Sequence, residues 1–166
     1  MILPGVGSFE AGIKNLKKNN FDKKIIASVK IKKKPLFGIC LGMQLLMDES
    51  DESPGIKGLS LIRGNCVKFS NNIVVPHIGW NNIKKEKDCK ILKDIKDTNF
   101  YFLHSYYCNL KQKSCVSTTV NYGKKICSSI SYKNIFAVQF HPEKSQEEGL
   151  KIIKNFSLIW NVKKKV

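Results

Sequence analysis

A cysteine between two glycines is the residue whose surroundings first suggest chemistry. Cys40 lies in the run GICLG at residues 38–42. The apolar residues just before this run favour a strand, and apolar residues at helical spacing over residues 43–47 favour a helix. A strand, a tight turn and a helix form the geometry of a nucleophile elbow, here with cysteine in place of serine. The free N–H groups and dipole at the helix start would favour a reactive thiolate.

The same five residues allow a plainer interpretation of Cys40. Free cysteine is often a small buried hydrophobic residue, and Cys40 could occupy a core strand in that way. The surrounding run does not separate the two interpretations. A catalytic role requires a base elsewhere in the chain.

The best candidate base is His141, which follows an apolar strand pattern at residues 135–140. His141 and Glu143 flank a proline, and in an extended chain their side chains fall on the same side. The carboxylate can then fix the imidazole tautomer while the other ring nitrogen accepts a proton from a nucleophile. His104 and His77 are rival bases. The apolar run before His104 favours a core histidine. His77 has no carboxylate close in sequence, which favours a structural role or a place lining a surface.

Two β-loop-α patterns in the first 47 residues would position Cys40. Residues 1–3 end an apolar strand, and Ser8 is the predicted N-cap of the helix that follows. Asp22 is the predicted N-cap of a second helix. Residues 36–40 predict a buried strand and residues 41–47 a helix, so we expect a parallel sheet covered by helices, an α/β fold.

The middle of the chain has a different pattern, which predicts antiparallel strands. The predicted strands are residues 59–62, 66–69, 73–75, 100–107, 115–120, 126–131 and 135–140. The second and third would form a hairpin through Asn71 and Asn72. The chain would end on an amphipathic helix that opens with a capping-box pattern at residues 145–148. The predicted apolar face of this helix consists of Leu150, Ile153, Phe156 and Trp160.

Composition limits the class of protein. The chain has 166 residues, 42% of them hydrophobic, which predicts one globular domain over residues 1–166. The six cysteines form no CxxC pair and no spacing typical of a metal site, so we expect no metal, no cofactor and reduced thiols. The sequence shows no signal peptide and no apolar run long enough to span a membrane. These features predict a cytoplasmic protein without membrane contacts.

The net charge of +16 raises the hypothesis of nucleic-acid binding. Arg63 is the only arginine, whereas base readout and bidentate phosphate contacts favour arginine. The lysine runs at residues 32–34 and 163–165 fall at predicted helix ends, where cations complement the dipole. We therefore interpret the charge as a solvated lysine-rich surface and predict no nucleic-acid partner.

Several motifs together resemble one known family. Residues 38–44 (GICLGMQ) and 141–143 (HPE) resemble the class I (triad) glutamine amidotransferases. More narrowly, the chain is similar to the glutaminase subunits of imidazole glycerol phosphate synthases. This similarity lies in residues 3–9 (LPGVGSF), 76–81 (PHIGWN), 104–107 (HSYY) and 139–146 (QFHPEKSQ). It extends over nearly the whole chain and implies the flavodoxin-like sheet of that class, with an antiparallel extension.

The resemblance implies catalytic roles for five residues. Cys40 would attack the carboxamide of glutamine to give a glutamyl thioester and ammonia. His141 would transfer the proton, and Glu143 would orient its ring and stabilise the imidazolium. The backbone N–H groups of Val6 and Leu41 would bind the oxyanion.

The resemblance also implies a set of substrate-binding residues. Gly5 belongs to the glycine-rich strand end, Gln44 would hold the side-chain amide of glutamine, and Glu52 would face its amino group. Ser105 and Tyr106 would bind its α-substituents through backbone groups. A different interpretation of Glu52 stays open at this point, because it could be a solvated charge in the acidic run at residues 48–52.

A partner protein is implied as well. In the family, the glutaminase forms a heterodimer with a (βα)8-barrel cyclase subunit, which uses the ammonia in histidine biosynthesis. Trp80, Tyr101 and Lys144 would line that contact, although Trp80 and Tyr101 could equally be core residues. Two alternatives stay open: a related subunit that supplies ammonia to a ligase modifying surface-polysaccharide sugars, and an inactive binding subunit.

The chain departs from the family at its start. Chains of the family begin with a strand and a helix before the LPGVG stretch, so the resemblance implies that a first βα unit of about 30 residues is absent here. A misplaced start codon and a truncated copy both explain the difference, and we favour the misplaced start. The predicted catalytic residues all remain.

Overall fold

A computed structural model describes the backbone of residues 1–162 and the side chains of residues 1–160. Its strands are β1 (Ile2–Leu3), β2 (Leu36–Ile39), β3 (Glu49–Ser50), β4 (Gly64–Lys68), β5 (His77–Lys85), β6 (Asn99–His104), β7 (Tyr106–Leu110), β8 (Val116–Asn121), β9 (Lys125–Tyr132) and β10 (Ile135–Val138). Its α-helices are α1 (Phe9–Lys18), α2 (Phe21–Lys30), α3 (Leu41–Gln44) and α4 (Gln146–Val162). Short 3₁₀ turns occupy Lys90–Leu92, Lys113–Cys115 and Pro142–Lys144.

The strands form two sheets, and the larger one confirms the predicted mixed α/β architecture. It has seven strands in the order β1-β2-β10-β9-β8-β5-β6, and the smaller sheet has the order β3-β4-β7. Strands β1, β2 and β10 are parallel, whereas β10 to β6 alternate in direction. The carboxyl ends of the three parallel strands meet at one edge. They bring the loop after Leu3, Cys40 and His141 to that edge.

Of the two helix caps predicted in the first 47 residues, one is confirmed and the other is wrong. Ser8 precedes α1, and its Oγ accepts a hydrogen bond from the backbone N–H of Ala11 at 3.3 Å. Helix α2 begins one residue before Asp22. Its N-cap is Asn20, which has a left-handed backbone with φ of 54° and no side-chain cap bond. Asp22 instead lies in the first turn, where its carboxylate complements the dipole.

The helix predicted over residues 41–47 is shorter, and the strand predicted over residues 59–62 does not form. Helix α3 ends at Gln44 because the next carbonyls bond to the following loop. The carbonyls of Leu45 and Leu46 accept hydrogen bonds from the backbone N–H groups of Leu59 and Leu61, at 2.9 and 3.0 Å. The backbone groups of the two segments therefore hydrogen-bond to each other, although neither segment forms a helix or a strand.

The hairpin predicted through Asn71 and Asn72 is also wrong. Strand β4 pairs with β7 and β3, and residues 73–75 form no strand. The predicted strand at residues 100–107 is divided at Ser105 into β6 and β7, which join different sheets. Residues 122–124 connect β8 to β9, and Lys133 and Asn134 connect β9 to β10.

Helix α4 is present as predicted, but its cap and its buried face differ. The Ser145 hydroxyl donates to the carbonyl of His141 at 2.6 Å and accepts from the N–H of Tyr101 at 3.0 Å, so the predicted capping box does not form. Leu150 is 59% exposed, whereas Ile152 and Phe156 are buried. The lysine run at residues 163–165 lies outside the described residues.

Two apolar layers cover the large sheet. Leu36 belongs to the layer that includes Phe9 and Ile13 of α1, and Phe37 belongs to the layer that includes Phe156 of α4. Neighbouring residues of β2 thus face opposite layers, which is why all four residues of this strand are buried. Among the described helices, none is long and apolar enough to cross a membrane.

Candidate active site

Cys40 occupies the sharp turn between β2 and α3 that the sequence predicts. Its backbone has φ of 53° and ψ of −111°, a conformation that side chains rarely adopt. The turn requires glycine at position 42, because a Cβ there would lie 1.7 Å from the backbone oxygen of Leu3. A Cβ on Gly38 would lie 3.0 Å from the backbone of Gly42. The two glycines therefore permit the close packing of β1, β2 and α3 that presents the cysteine at the strand end.

The thiol of Cys40 is less acidic than the sequence suggests. Cys40 is 7% exposed, and burial raises the pKa of its thiol to about 11. The N–H of Leu41 lowers the pKa, as expected for a helix start, but a helix of four residues offsets little of the burial. The helix start thus favours the thiolate, as the sequence predicts, but burial outweighs this effect. The sulfur lies 3.8 Å from the carbonyl oxygen of Leu103 and 3.9 Å from Nε2 of Gln139.

His141 and Glu143 are in contact, as the sequence predicts. Nδ1 of His141 lies 2.7 Å from Oε1 of Glu143, although the chain between them forms a 3₁₀ turn, not an extended segment. The His141 backbone N–H also donates to the carbonyl of Tyr101 at 2.8 Å. His141 is 3% exposed, and its Nε2 is buried without a hydrogen-bond partner. This nitrogen is consequently available to a group inside the cavity.

One cavity of about 280 Å³ brings most of the predicted site residues together. It is lined by Val6, Gly7, Cys40, Leu41, Gln44, Glu52, Pro76, Leu103, His104, Ser105, Tyr106 and His141. Gly5 lies outside this lining, and a Cβ there would meet the side chain of Leu41 at 3.2 Å. Glu143 lies outside the lining as well. A larger cavity of about 530 Å³ near β7, β8 and β9 contains none of the predicted site residues.

The two rival histidines are buried and bonded to each other. His77 and His104 are cross-strand partners in β5 and β6, and Nδ1 of His77 lies 3.0 Å from Nε2 of His104. Nδ1 of His104 lies 2.8 Å from the carbonyl oxygen of Tyr106. Burial lowers the pKa of His77 to about 4 and that of His104 to about 3. Both are therefore neutral near pH 7. The core position predicted for His104 is confirmed, and the burial of His77 agrees with a structural role and not with a place on the surface.

Glu52 makes a contact that the sequence did not suggest. Its Oε2 accepts a hydrogen bond of 2.7 Å from the backbone N–H of Phe9, the first residue of α1. The carboxylate thus caps a helix start, where a negative charge is stabilised. Glu52 also lines the cavity, so it is not merely a solvated member of the acidic run.

Gln139 belongs to the site and was missed as a functional residue. Its side chain is fully buried, and its Oε1 accepts from Nε2 of Gln44 at 3.3 Å. Gln44 Nε2 also donates to the carbonyl of Tyr106 at 3.0 Å. The sequence contained a usable signal, since residues 139 and 141 lie two apart at a strand end and so face the same side.

Trp80, Tyr101 and Lys144 form one continuous patch, called here the aromatic–lysine surface. Trp80 is 46% exposed, and its ring meets that of its cross-strand partner Tyr101 edge-on at 6.1 Å. Nζ of Lys144 lies 5.5 Å from the centroid of the Tyr101 ring. The Tyr101 ring is also 6.5 Å from that of His141. The open alternative, that these aromatic residues belong to the core, is therefore wrong.

Comparisons with known proteins agree on one family. The family model described as glutamine amidotransferase class-I matches residues 1–160. The imidazole glycerol phosphate synthase subunit HisH of Methanocaldococcus jannaschii is 46% identical over 157 residues, which cover 94% of this chain and 78% of the relative. The protein of the same name from Pyrococcus furiosus is 44% identical over 158 residues, with 94% and 79% covered.

Solved structures show the same fold at much lower sequence identity. A structure described as a glutamine amidotransferase superposes with a TM-score of 0.69 at 16% identity, covering 94% of this chain and 78% of the other. A glutamine amidotransferase from Thermotoga maritima superposes with a TM-score of 0.63 at 18% identity, covering 98% and 65%.

Proposed function

This chain belongs to the class-I glutamine amidotransferase family, and on that basis we propose that it is the glutaminase subunit of an imidazole glycerol phosphate synthase. In this role it hydrolyses glutamine to glutamate and ammonia and delivers the ammonia to a cyclase subunit. The observation that carries the proposal is the single cavity that Cys40 and the unpartnered Nε2 of His141 both line. Relatives named as this subunit are 42–46% identical over nearly the whole chain.

The first step is attack of Cys40 on the carboxamide carbon of glutamine. The thiol proton passes to Nε2 of His141 as the C–S bond forms, and Glu143 stabilises the resulting imidazolium through Nδ1. The carbonyl π pair moves onto oxygen, which the backbone N–H groups of Leu41 and Val6 bind. Burial of the thiol supports this order of events, because its raised pKa leaves little thiolate before the base acts.

The second step expels ammonia and leaves a thioester. The oxyanion re-forms the carbonyl, the C–N bond breaks, and the imidazolium of His141 gives its proton to the leaving nitrogen. Water then attacks the thioester while His141 takes one of its protons. Collapse of this second intermediate breaks the C–S bond, returns the proton to the Cys40 sulfur and releases glutamate.

The remaining cavity residues bind the amino-acid end of glutamine. Glu52 holds the N-terminus of α1 through one oxygen, which leaves its other oxygen for the ammonium group of the substrate. Backbone groups of Ser105 and Tyr106 bind the α-substituents, and Gln44 fixes the side-chain amide. The location of all four residues in the lining of the cavity supports this assignment.

The aromatic–lysine surface binds the cyclase partner, which is a (βα)8 barrel. Exposed aromatic rings with a neighbouring cation are typical anchors of protein interfaces. The surface lies beside His141, so a partner bound there would cover the mouth of the site and keep ammonia from water.

The deciding experiment compares two cysteine variants in the complex with the cyclase subunit. We expect Cys40→Ala to abolish synthesis that depends on glutamine and to preserve synthesis from added ammonium salts. Cys89→Ala is the matched control, because Cys89 is also buried but lies outside the cavity. Loss of ammonium-dependent synthesis in the Cys40 variant alone would mean that Cys40 is structural, and the proposal would fail.

A further inference from the structure

Gln139 lies directly beside the nucleophile because of the strand register. The parallel pairing of β2 and β10 places Ile39 opposite Val138 at the ends of the two strands. The residues that follow, Cys40 and Gln139, therefore lie side by side. The backbone N–H of Cys40 bonds to the carbonyl of Val138 at 2.9 Å, which fixes this arrangement. The Gln139 side chain then reaches the thiol of Cys40, and its Nε2 lies 3.9 Å from Sγ.

The orientation of the Gln139 amide follows from its neighbours. The carbonyl of Tyr106 can only accept, so the groups that face it must donate: Nδ1–H of His104 and the Nε2 of Gln44. The same Gln44 nitrogen faces Gln139, which must therefore present its oxygen there. The nitrogen of Gln139 is left pointing at Cys40.

The carbonyl of Tyr106 also fixes the tautomers of the histidine pair. Because His104 donates through Nδ1, its Nε2 accepts from Nδ1–H of His77, and Nε2 of His77 accepts from the side-chain amide of Asn81 at 3.3 Å. Asn81, His77 and His104 thus form a row in which each residue donates a hydrogen bond to the next, ending at the carbonyl of Tyr106. This row requires neutral histidines, and both are buried. The His77 ring stacks on those of Phe102 and Tyr122, and the His104 ring contacts those of Phe69 and Phe102.

We infer that Gln139 donates a hydrogen bond from Nε2 to the Cys40 sulfur and thereby stabilises the thiolate form of the nucleophile. The side chain is fully buried, and without this bond its Nε2 would be a buried donor lacking a partner. Within the described residues, the only buried side-chain nitrogen or oxygen atoms without a partner are Oγ of Ser117 and Nε2 of His141. The bond strengthens when the sulfur becomes charged, since a charged acceptor binds an N–H more strongly.

This inference deepens the proposed function but can be tested without it. Iodoacetamide reacts with thiolates, so the rate of Cys40 labelling against pH, read on the Cys40 peptide by mass spectrometry, gives the midpoint of its ionisation. We expect Gln139→Met, which removes the donor at similar volume, to raise this midpoint by about half to one pH unit. Gln139→Glu should raise it further, because a carboxylate opposes a second negative charge.

The control is Gln112→Met, which changes an exposed glutamine outside the cavity and should leave the midpoint unchanged. An unchanged midpoint in folded Gln139→Met would overturn the inference. If neither Gln139 variant folds, NMR of the unmodified chain decides. The chemical shift of the Gln139 side-chain amide nitrogen should change with pH at the midpoint of Cys40 ionisation. This change should be absent in Cys40→Ser. A chemical shift that does not respond to the ionisation of Cys40 in the unmodified chain would overturn the inference.

Failure of the inference and failure of the proposed function give different results. If the chain has no glutaminase activity but the midpoint of Cys40 ionisation shifts in Gln139→Met, the donor role of Gln139 is supported and the proposed function is wrong. If the chain is an active glutaminase but the midpoint does not shift in Gln139→Met, the proposed function is supported and the donor role of Gln139 is wrong.

Discussion

The carboxylate of Glu143 contacts Nδ1 of His141 at 2.7 Å, while Nε2 of the same ring is buried and unpartnered. The two nitrogens are thereby distinguished: one is held by a partly exposed carboxylate, and the other is free to exchange a proton inside the cavity. This asymmetry fixes the tautomer that a general base requires, with the proton on Nδ1.

Glu143→Gln should therefore impair catalysis more than folding. The amide can still accept from Nδ1–H, but it carries no charge to stabilise the imidazolium. We expect kcat for glutamine hydrolysis to fall about 10- to 100-fold with an unchanged melting temperature. The control is Glu147→Gln, an exposed carboxylate at the start of α4. Equal losses in the two variants would contradict a specific role for Glu143.

Gly42→Ala should prevent stable folding. Its Cβ would lie 1.7 Å from the backbone oxygen of Leu3, and neither strand β1 nor helix α3 can move without disturbing the sheet. We expect a loss of more than about 3 kcal/mol in the free energy of unfolding, measured by urea titration.

Gly5→Ala is the matched control for Gly42→Ala, because the atoms nearest to its Cβ would be those of the flexible Leu41 side chain, at 3.2 Å. We expect it to cost less than about 1.5 kcal/mol. A stable Gly42→Ala protein would show that the close packing of β1 on α3 is not required.

The sequence predicts those features whose causes are local. The cap at Ser8 involves a residue three positions away, and the contact of His141 with Glu143 involves one two positions away. The nucleophile elbow at Cys40 is similarly encoded by its own glycines. Each of these could be found because the residue types that make the contact are adjacent in the chain.

Features that depend on distant neighbours could not be predicted in this way. Ser145 has the pattern of a helix cap, yet its hydroxyl bonds to the chain at His141 and Tyr101. Glu52 bonds to Phe9, 43 positions away. The helix start at Cys40 was expected to favour the thiolate, but burial, a property of the whole fold, dominates the pKa of the thiol.

The buried histidine pair should make stability depend on pH. The pKa of His77 is lowered to about 4 and that of His104 to about 3, against an ordinary value of 6.5. Between these limits the unfolded chain binds protons that the folded chain does not, so stability rises with pH. Acidification from pH 6.5 to 4 should therefore reduce the free energy of unfolding.

His104→Gln tests the source of this dependence. The variant lacks one of the titrating groups, so its free energy of unfolding should fall less steeply between pH 6.5 and 4 than that of the unmodified chain. Carboxylates titrate in both proteins, and their contribution cancels in the difference between the two curves. Parallel curves from chemical denaturation would exclude His104 as a contributor.

The aromatic–lysine surface supplies the last prediction, which concerns the partner. Trp80 is 46% exposed and makes its main ring contact with Tyr101, so its removal should leave the fold intact. If the cyclase subunit binds there, Trp80→Ala should weaken the complex about tenfold or more, because buried tryptophans dominate interface energies. Affinity can be measured by calorimetry, with the melting temperature of the free chain as the check on folding. Leu158→Ala, at an exposed position of α4, is the control and should bind normally. Unchanged affinity in the Trp80 variant would place the partner on another face of the molecule.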